Sequence, residues 1–370
     1  MIIREQVPLA PLTTLDVGGP ARYFAEARTE SDVREAVQYA QSRDVSLFVL
    51  GGGSNLLVSD RGFAGLVLRI SLRGIEASAG AGEDVIFTVA AGEEWDGFVA
   101  RAVADNCAGL ECLSGIPGSV GGTPVQNVGA YGQEVSETIC KVEALDRQSP
   151  QLKTFTNAEC GFAYRTSIFN TTERDRYIIL RVSFSLRRGG QPTLRYADLQ
   201  KAFAGTTAPP TLSAVRAAVR EIRHNKAMLI VPGEDDARSA GSFFKNPIVP
   251  QKQYDDLEAT LRSRGLELPS YPAGEGYRKL PAAWLVEHAG FVKGYCRGAA
   301  GISRRHTLAI VNRGGATPAD ILALKDEIQA RVFAEFSIQL QPEPVFLGFD
   351  PLVNEHFFSA APPAGAGSAG

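Results

Sequence analysis

Gly115-Ile116-Pro117-Gly118-Ser119-Val120-Gly121-Gly122 is the stretch on which the fold turns, read with an earlier run, Leu50-Gly51-Gly52-Gly53-Ser54-Asn55. The later run continues through Gln126-Asn127-Val128-Gly129-Ala130-Tyr131-Gly132. Glycines this dense give the backbone positive φ and close approach, leaving N–H groups that can face phosphate oxygens. A dinucleotide ligand is the first expectation. The earlier turn is not the G-x-G-x-x-G fingerprint, because Leu56 stands where its third glycine would fall and no helix signal follows. Nor does a Gly-Lys-Ser/Thr follow, as a P-loop requires. Either run alone reads more readily as a tight turn or helix stop with no ligand; their joint occurrence and the segments beyond them change that balance.

Working outward, residues 22–27 read as a strand. Residues 31–42 read as a helix with Val33, Ala36, Val37 and Ala40 on one face, behind a Thr29-x-x-Asp32 capping pattern. Leu47-Phe48-Val49-Leu50 then delivers the first glycine turn, completing a small β-α-β unit. Strand-like segments at 65–70, 84–91, 138–146 and 177–186, with a helix at 94–107, suggest an α+β body rather than a regular parallel sheet. After the Pro209-Pro210 break, a helix over 212–224 is expected to open a further domain containing helices near 251–264, 281–289 and 318–335. The last of these has Thr317 as N-cap, Pro318 at its first position and Asp320 completing the cap. A strand over 338–348 is expected to return to the first body. Residues 359–370 are only Ala, Pro, Gly and Ser and read as disordered.

At 370 residues, two or three domains are expected. Hydrophobic residues at 44% and charged residues at 21% give an ordinary globular balance, and a net charge of −3 gives no support to nucleic-acid binding. The charged start Met1-Ile2-Ile3-Arg4-Glu5 does not resemble a signal peptide, and no run reaches the roughly 18 apolar residues of a membrane span. A cytoplasmic protein is the expectation. Five cysteines (Cys107, Cys112, Cys140, Cys160, Cys296) form no CxxC pair and no even disulfide set, so reduced thiols are expected. The four histidines, His224, His288, His306 and His356, lack ligand spacing, and no metal is expected.

Three further segments carry polar residues in close-packed contexts: Phe162-Ala163-Tyr164-Arg165-Thr166-Ser167-Ile168-Phe169, Ala240-Gly241-Ser242-Phe243-Phe244-Lys245-Asn246-Pro247, and Gln341-Pro342-Glu343-Pro344-Val345-Phe346-Leu347-Gly348. With the two glycine turns they resemble, in order and approximate spacing, the UDP-N-acetylenolpyruvoylglucosamine reductase family. The resemblance spans roughly residues 10–350. It implies an FAD-binding body of the vanillyl-alcohol-oxidase/PCMH type made of two α+β subdomains, at 1–70 and 71–208 with a return strand at 337–357. A separate α+β substrate-binding domain at 209–336 is also implied. It further implies FAD as cofactor, NADPH as reductant, and reduction of UDP-N-acetylglucosamine enolpyruvate to UDP-N-acetylmuramate.

By motif, the resemblance places the catalytic arginine at Arg165, the proton donor at Ser242 and the catalytic glutamate at Glu343. It implies cofactor contacts at Gly51, Gly52, Gly53, Ser54, Asn55, Ile116, Pro117, Gly118, Ser119, Gly121, Gly122 and Asn127. It implies substrate contacts at Tyr131, Tyr196, Lys226 and Asn246, with Arg223 a further candidate. Leu194-Arg195-Tyr196-Ala197-Asp198-Leu199 resembles the tyrosine loop of the family's longer subclass. These residue types suit the chemistry. Reducing an enolpyruvyl ether leaves negative charge on the carbon next to a carboxylate, which a bidentate guanidinium stabilises and a positioned hydroxyl can protonate. Glu343 can assist only as a donor, since an ionised carboxylate would oppose the developing charge.

Taken singly, Arg165 also reads as a structural ion pair, Ser242 as a turn cap and Glu343 as a solvated strand residue. Gln341 and Val345 depart from the family's usual Glu-Pro-Glu-Val-Arg/Lys ending, leaving in doubt any contact of the usual basic residue. Two rival readings stay open: an FAD-dependent alcohol or sugar oxidase of the same fold, and a non-catalytic UDP-sugar or flavin-binding sensor. The Gly-Ser-Phe-Phe-Lys-Asn-Pro segment argues against the first, and the joint presence of Arg165, Ser242 and Glu343 against the second.

Overall fold

A computed structural model describes residues 1–350; the tail expected to be disordered at 359–370 lies outside the described residues. The chain forms two compact units, each assembled from discontinuous segments.

The first unit comprises Met1–Val7, Ala21–Gly53 and Ala64–Ile230. Helix Glu30–Ser42 starts on a capping box formed by Thr29 and Asp32 and buries Val33, Ala36, Val37 and Ala40, as the spacing requires. The strands around it, Pro20–Ala27 and Leu47–Leu50, are not neighbours: Phe63–Ile70 inserts between them, parallel to Leu47–Leu50, and Ile3–Pro8 completes the sheet. Phe63–Ile70 has Leu66, Val67 and Leu68 all fully buried, the pattern of a central strand covered on both faces.

A second, antiparallel sheet runs in the order Leu152–Thr156, Ile139–Asp146, Tyr177–Arg188, Asp84–Ala90, Ile75–Ala79, with Cys107–Ala108 pairing onto the central strand. Trp95 and Phe98, on helix Trp95–Ala104, pack with Phe87 and Phe184 into an aromatic cluster, with Phe98 and Phe184 centroids 5.0 Å apart. Trp95 Nε1–H donates to the Leu113 carbonyl at 3.0 Å, so the buried indole is satisfied and the glycine turn beyond it is tethered to this core.

Helix Leu212–Asn225, expected to open the next domain, belongs instead to this first unit. Its apolar residues Val215 and Val219 pack with Cys112 and Leu199, and its polar residues Arg216 and Arg220 both reach Asp96. Both faces thus find partners here, which a Pro-Pro break in the sequence does not reveal.

The second unit comprises Pro8–Pro20, Ser54–Phe63 and the chain from Val231 onward. Its antiparallel sheet is ordered Ser239–Ser242, Ala309–Asn312, Ala300–Ile302, Cys296–Arg297. Helices Gln251–Ser263, Ala282–His288 and Pro318–Phe336 accompany it, the last starting on the Thr317/Asp320 capping box. The strand expected over 338–348 to return to the first body contracts to Val345–Leu347 and instead pairs within this second unit, parallel to Leu56–Val58. Pro342 and Pro344 lack the N–H groups a longer ladder needs.

Candidate active site

The two glycine turns meet within the first unit. A Cβ built on Gly52 would lie 2.6 Å from Gly118 Cα, and one on Gly51 would lie 2.6 Å from Ser119 Oγ. Gly53 and Gly118 have φ of 66° and 127°, values that exclude ordinary side chains. The far side of the later turn is fixed by backbone bonds: Trp95 N–H to Gly118 O (3.1 Å), Val120 N–H to Glu93 O (2.9 Å) and Gly121 N–H to Ala91 O (2.9 Å). Gly121 also abuts Ala91, whereas a Cβ on Gly122 would meet open space. Ile116 packs against the unit's core. Among the described residues, the amides of Gly52, Gly53, Gly118 and Ser119 donate none of these internal backbone bonds. Abutting turns with such amides suit a diphosphate, and so fit the FAD expected from the sequence.

Arg165 sits at the tip of a two-residue hairpin closed by reciprocal bonds between Ala163 and Thr166, both 3.1 Å. Its φ is 56°, the left-handed conformation such a turn imposes. The guanidinium donates to the Gly129 carbonyl at 2.7 Å and lies over the Tyr164 ring at 5.2 Å. Asn127, a predicted cofactor contact, braces this hairpin: its buried amide donates to Ala163 O (3.0 Å) and Glu134 Oε2 (2.8 Å), and its Oδ1 accepts from Ser136 N–H (3.2 Å).

Tyr131, Tyr196 and Lys226 converge. The two rings pack edge to face at 5.2 Å, and the Lys226 ammonium lies 6.0 and 5.8 Å from their centroids while donating to Asp198 at 2.6 Å. Burial alone would pull the Lys226 ammonium down; the Asp198 hydrogen bond and the two tyrosines outweigh it, and the net shift is upward. Burial pushes the Tyr131 hydroxyl up. Tyr196 is 41% exposed and precedes the short helix Ala197–Ala202. Arg223, buried, donates to Gly115 O at 3.1 Å and Met228 O at 2.6 Å, joining helix Leu212–Asn225 to the glycine turn.

Two carboxylates in this unit escaped the sequence reading. Asp96 accepts from Gly115 N–H (2.6 Å) and from both Arg216 (2.5 Å) and Arg220. Burial would raise its carboxyl, but the Arg216 and Gly115 hydrogen bonds and the two guanidinium charges hold it below the ordinary aspartate value. Glu111, fully buried, accepts from Gly109 N–H, Gln133 Nε2 and Thr193 N–H, each at 2.8 Å, and so anchors the start of the tyrosine loop. Nothing in their local sequence distinguishes them from surface acids.

In the second unit, two motifs about a hundred residues apart become neighbours. Glu343 N–H donates to Phe243 O and Lys245 N–H to Gln341 O, both at 2.9 Å, with Phe244 bridging to Pro342. Asn55 clasps the same segment: its Nδ2 donates to Glu343 O (3.3 Å) and its carbonyl accepts from Val345 N–H (3.0 Å). Ser54 O accepts a long bond from Thr14 Oγ1 (3.4 Å). Ser242 follows a break in register opposite Val311 and Ala309, with Gly241 at φ 74°, a bulge that re-aims the strand's end. Its Oγ lies 3.5 Å from His306 Nε2. Asn246 Oδ1 accepts from Ala282 N–H at 2.9 Å, capping the helix that starts there. All five cysteines are free thiols, and no cluster of potential metal ligands occurs among the described residues. No helix among them is long and apolar enough to cross a membrane.

Residues 21–154 match the family model described as FAD binding domain, and residues 232–347 that of UDP-N-acetylenolpyruvoylglucosamine reductase, C-terminal domain. The chain is 46% identical over 352 residues to the UDP-N-acetylenolpyruvoylglucosamine reductase of Streptomyces coelicolor, covering 93% of this chain and 90% of that protein. It is equally identical over 352 residues to the enzyme of the same name from Thermobifida fusca, covering 98% of that protein. The crystal structure of the Thermus caldophilus enzyme superposes with a TM-score of 0.63 at 27% identity, over 94% of this chain and all of that one. The fold and the glycine turns thus define an α+β flavoprotein that binds FAD. More particularly, the chain belongs to the UDP-N-acetylenolpyruvoylglucosamine reductase family of FAD-dependent oxidoreductases.

Proposed function

We propose that this protein, in the cytoplasm, uses NADPH to reduce UDP-N-acetylglucosamine enolpyruvate to UDP-N-acetylmuramate, with Arg165, Ser242 and Glu343 as its catalytic residues. The observation that carries the assignment is the pairing of the Ser242 and Glu343 segments through Phe243 O and Lys245 N–H, which two unrelated structural motifs would not require.

Gly51, Gly52, Gly53, Gly118 and Ser119 would hold the FAD diphosphate, and bound FAD supplies the two-electron chemistry between NADPH and the vinyl group. Asn55 fixes the Glu343 segment, Ser54 accepts from Thr14, and Asn127 fixes the Arg165 hairpin, so their roles are supporting ones. Arg165 binds the enolpyruvyl carboxylate and stabilises the negative charge that develops beside it. The Ser242 Oγ–H bond breaks as a new C–H bond forms at the carbon next to that carboxylate. Glu343, as a donor, shares the stabilisation of the same charge. Tyr131, Tyr196 and Lys226 bind the substrate diphosphate, with Asn246 behind the Ser242 segment as a helix cap.

Stopped-flow measurement of the two half-reactions tests this. Ser242→Ala should be reduced by NADPH normally yet lose on the order of 10² to 10⁴ in substrate-dependent reoxidation. Equal losses in both halves, or in neither, would overturn the role of Ser242.

A further inference from the structure

The contact between Ser242 and His306 extends the proposed reading and rests on it. A hydroxyl has one hydrogen and two acceptor sites. For Ser242 to give its hydrogen to a carbon, that hydrogen must point away from the imidazole, and the imidazole must donate rather than accept. We infer that His306 is a positioning residue whose Nε2–H donates to Ser242 Oγ, directing the serine hydrogen toward the substrate and stabilising the alkoxide left after transfer. Water then reprotonates the alkoxide, so His306 itself neither gains nor loses a proton.

The surroundings of His306 are built to hold it there. Ser242 pairs across the ladder with Ala309, and the loop carrying His306 closes on that same residue: Ser303 N–H donates to Ala309 O (2.8 Å), and Ala309 N–H to His306 O (3.2 Å). Ser303 is fully buried and uses its whole hydroxyl. It donates to Asp236 Oδ2 (2.8 Å) and accepts from Arg305 N–H (3.0 Å) and His306 N–H (3.2 Å). Asp236, 4% exposed, accepts also from Arg304 N–H (3.0 Å) and faces Arg313 at 3.5 Å. Pairs from Glu234 to Arg305 and from Asp235 to Arg304 extend this seam between an acidic and a basic loop. The 3.5 Å separation of Ser242 and His306 is at the long limit of a hydrogen bond, the usual state of catalytic contacts before substrate arrives.

The test is a double-mutant cycle on the FAD-loaded protein. His306→Ala should leave NADPH-driven flavin reduction and direct substrate titration unchanged, and slow substrate-dependent reoxidation on the order of 10- to 100-fold, the worth of a charge-assisted hydrogen bond. His306→Gln, which keeps an N–H donor, should recover most of that loss. The Ser242→Ala/His306→Ala double variant should be no slower than Ser242→Ala alone, because His306 acts only through that hydroxyl. Wild-type reoxidation in His306→Ala, a slowed NADPH step, or additive losses in the double variant would each overturn the inference. If Ser242→Ala itself reoxidises normally, the Ser242 assignment fails first, and that failure is read separately from the His306 arm.

Discussion

Gly52→Ala should separate the role of the paired turns from ordinary backbone flexibility. The added methyl would stand 2.6 Å from Gly118 Cα, 2.9 Å from Gly118 C and 3.2 Å from Ser119 N. Ordinary contact begins at 3.4 Å, so the methyl is about 0.8 Å too close, and every opposing atom is backbone that no rotamer change can move aside. The turns must part, at the cost of about 1–3 kcal/mol typical of overpacking. Because the same amides are assigned to the cofactor diphosphate, that displacement should weaken FAD binding by roughly 5- to 150-fold. Gly122→Ala is the control for the stability of the protein without FAD, with open space where its methyl would lie. Deflavinated protein should show a lowered Tm for Gly52→Ala and an unchanged one for Gly122→Ala, and titration with FAD, followed by flavin fluorescence, gives the affinities. A Gly52→Ala protein that binds FAD as tightly as the wild type would refute the assignment of the turn pair to the cofactor.

Asp96→Asn removes the anion joining Gly115 N–H, Arg216 and Arg220, and near neutral pH should destabilise the protein by about 1–3 kcal/mol. The Asp96 carboxyl is held below its ordinary value of 3.8, so its stabilisation is present above that pH and is lost as pH falls through the lower folded value; the Tm gap to the variant should close in that acidic range. Tyr196→Phe keeps the ring against Tyr131 but removes the hydroxyl assigned to a substrate diphosphate oxygen, and should weaken substrate binding by a factor corresponding to about 1–3 kcal/mol. NADPH-driven flavin reduction should be unaffected, and normal substrate binding in a direct titration would reduce Tyr196 to a packing residue.

Local signals in the sequence carried far where the relevant physics is local. The Thr29/Asp32 and Thr317/Asp320 boxes are complete within four residues, and both helices start on them. The antiparallel sheet order is not local, nor is the insertion of Phe63–Ile70 between two strands that read as one β-α-β unit. Helix Leu212–Asn225 was legible as a helix, but its attachment depends on Asp96, more than a hundred residues earlier. For the site, motifs located Ser242 and Glu343 without showing that their backbones pair. His306 gave no signal at all: it lacks ligand spacing, and what makes it interesting is a contact created by a bulge at Gly241 and a buried aspartate at position 236.

The backbone around Arg165 shows how such a site is maintained against local preference. Asn127, Tyr131 and Arg165 have φ of 44°, 50° and 56°, a region where glycine would rest without strain. Each such residue costs on the order of 1–3 kcal/mol and persists only where surrounding bonds determine its conformation. Those bonds are present. Reciprocal Ala163–Thr166 hydrogen bonds close the Arg165 turn, the Asn127 amide holds its Ala163 carbonyl, and Asn170 Nδ2 donates to the Arg165 carbonyl at 3.2 Å. Glycine at position 165 would relieve the backbone and delete the guanidinium that donates to Gly129 O. Strain retained at a turn tip, for a side chain that glycine cannot supply, accords with the binding role proposed for Arg165, since an unstrained turn would close the same hairpin.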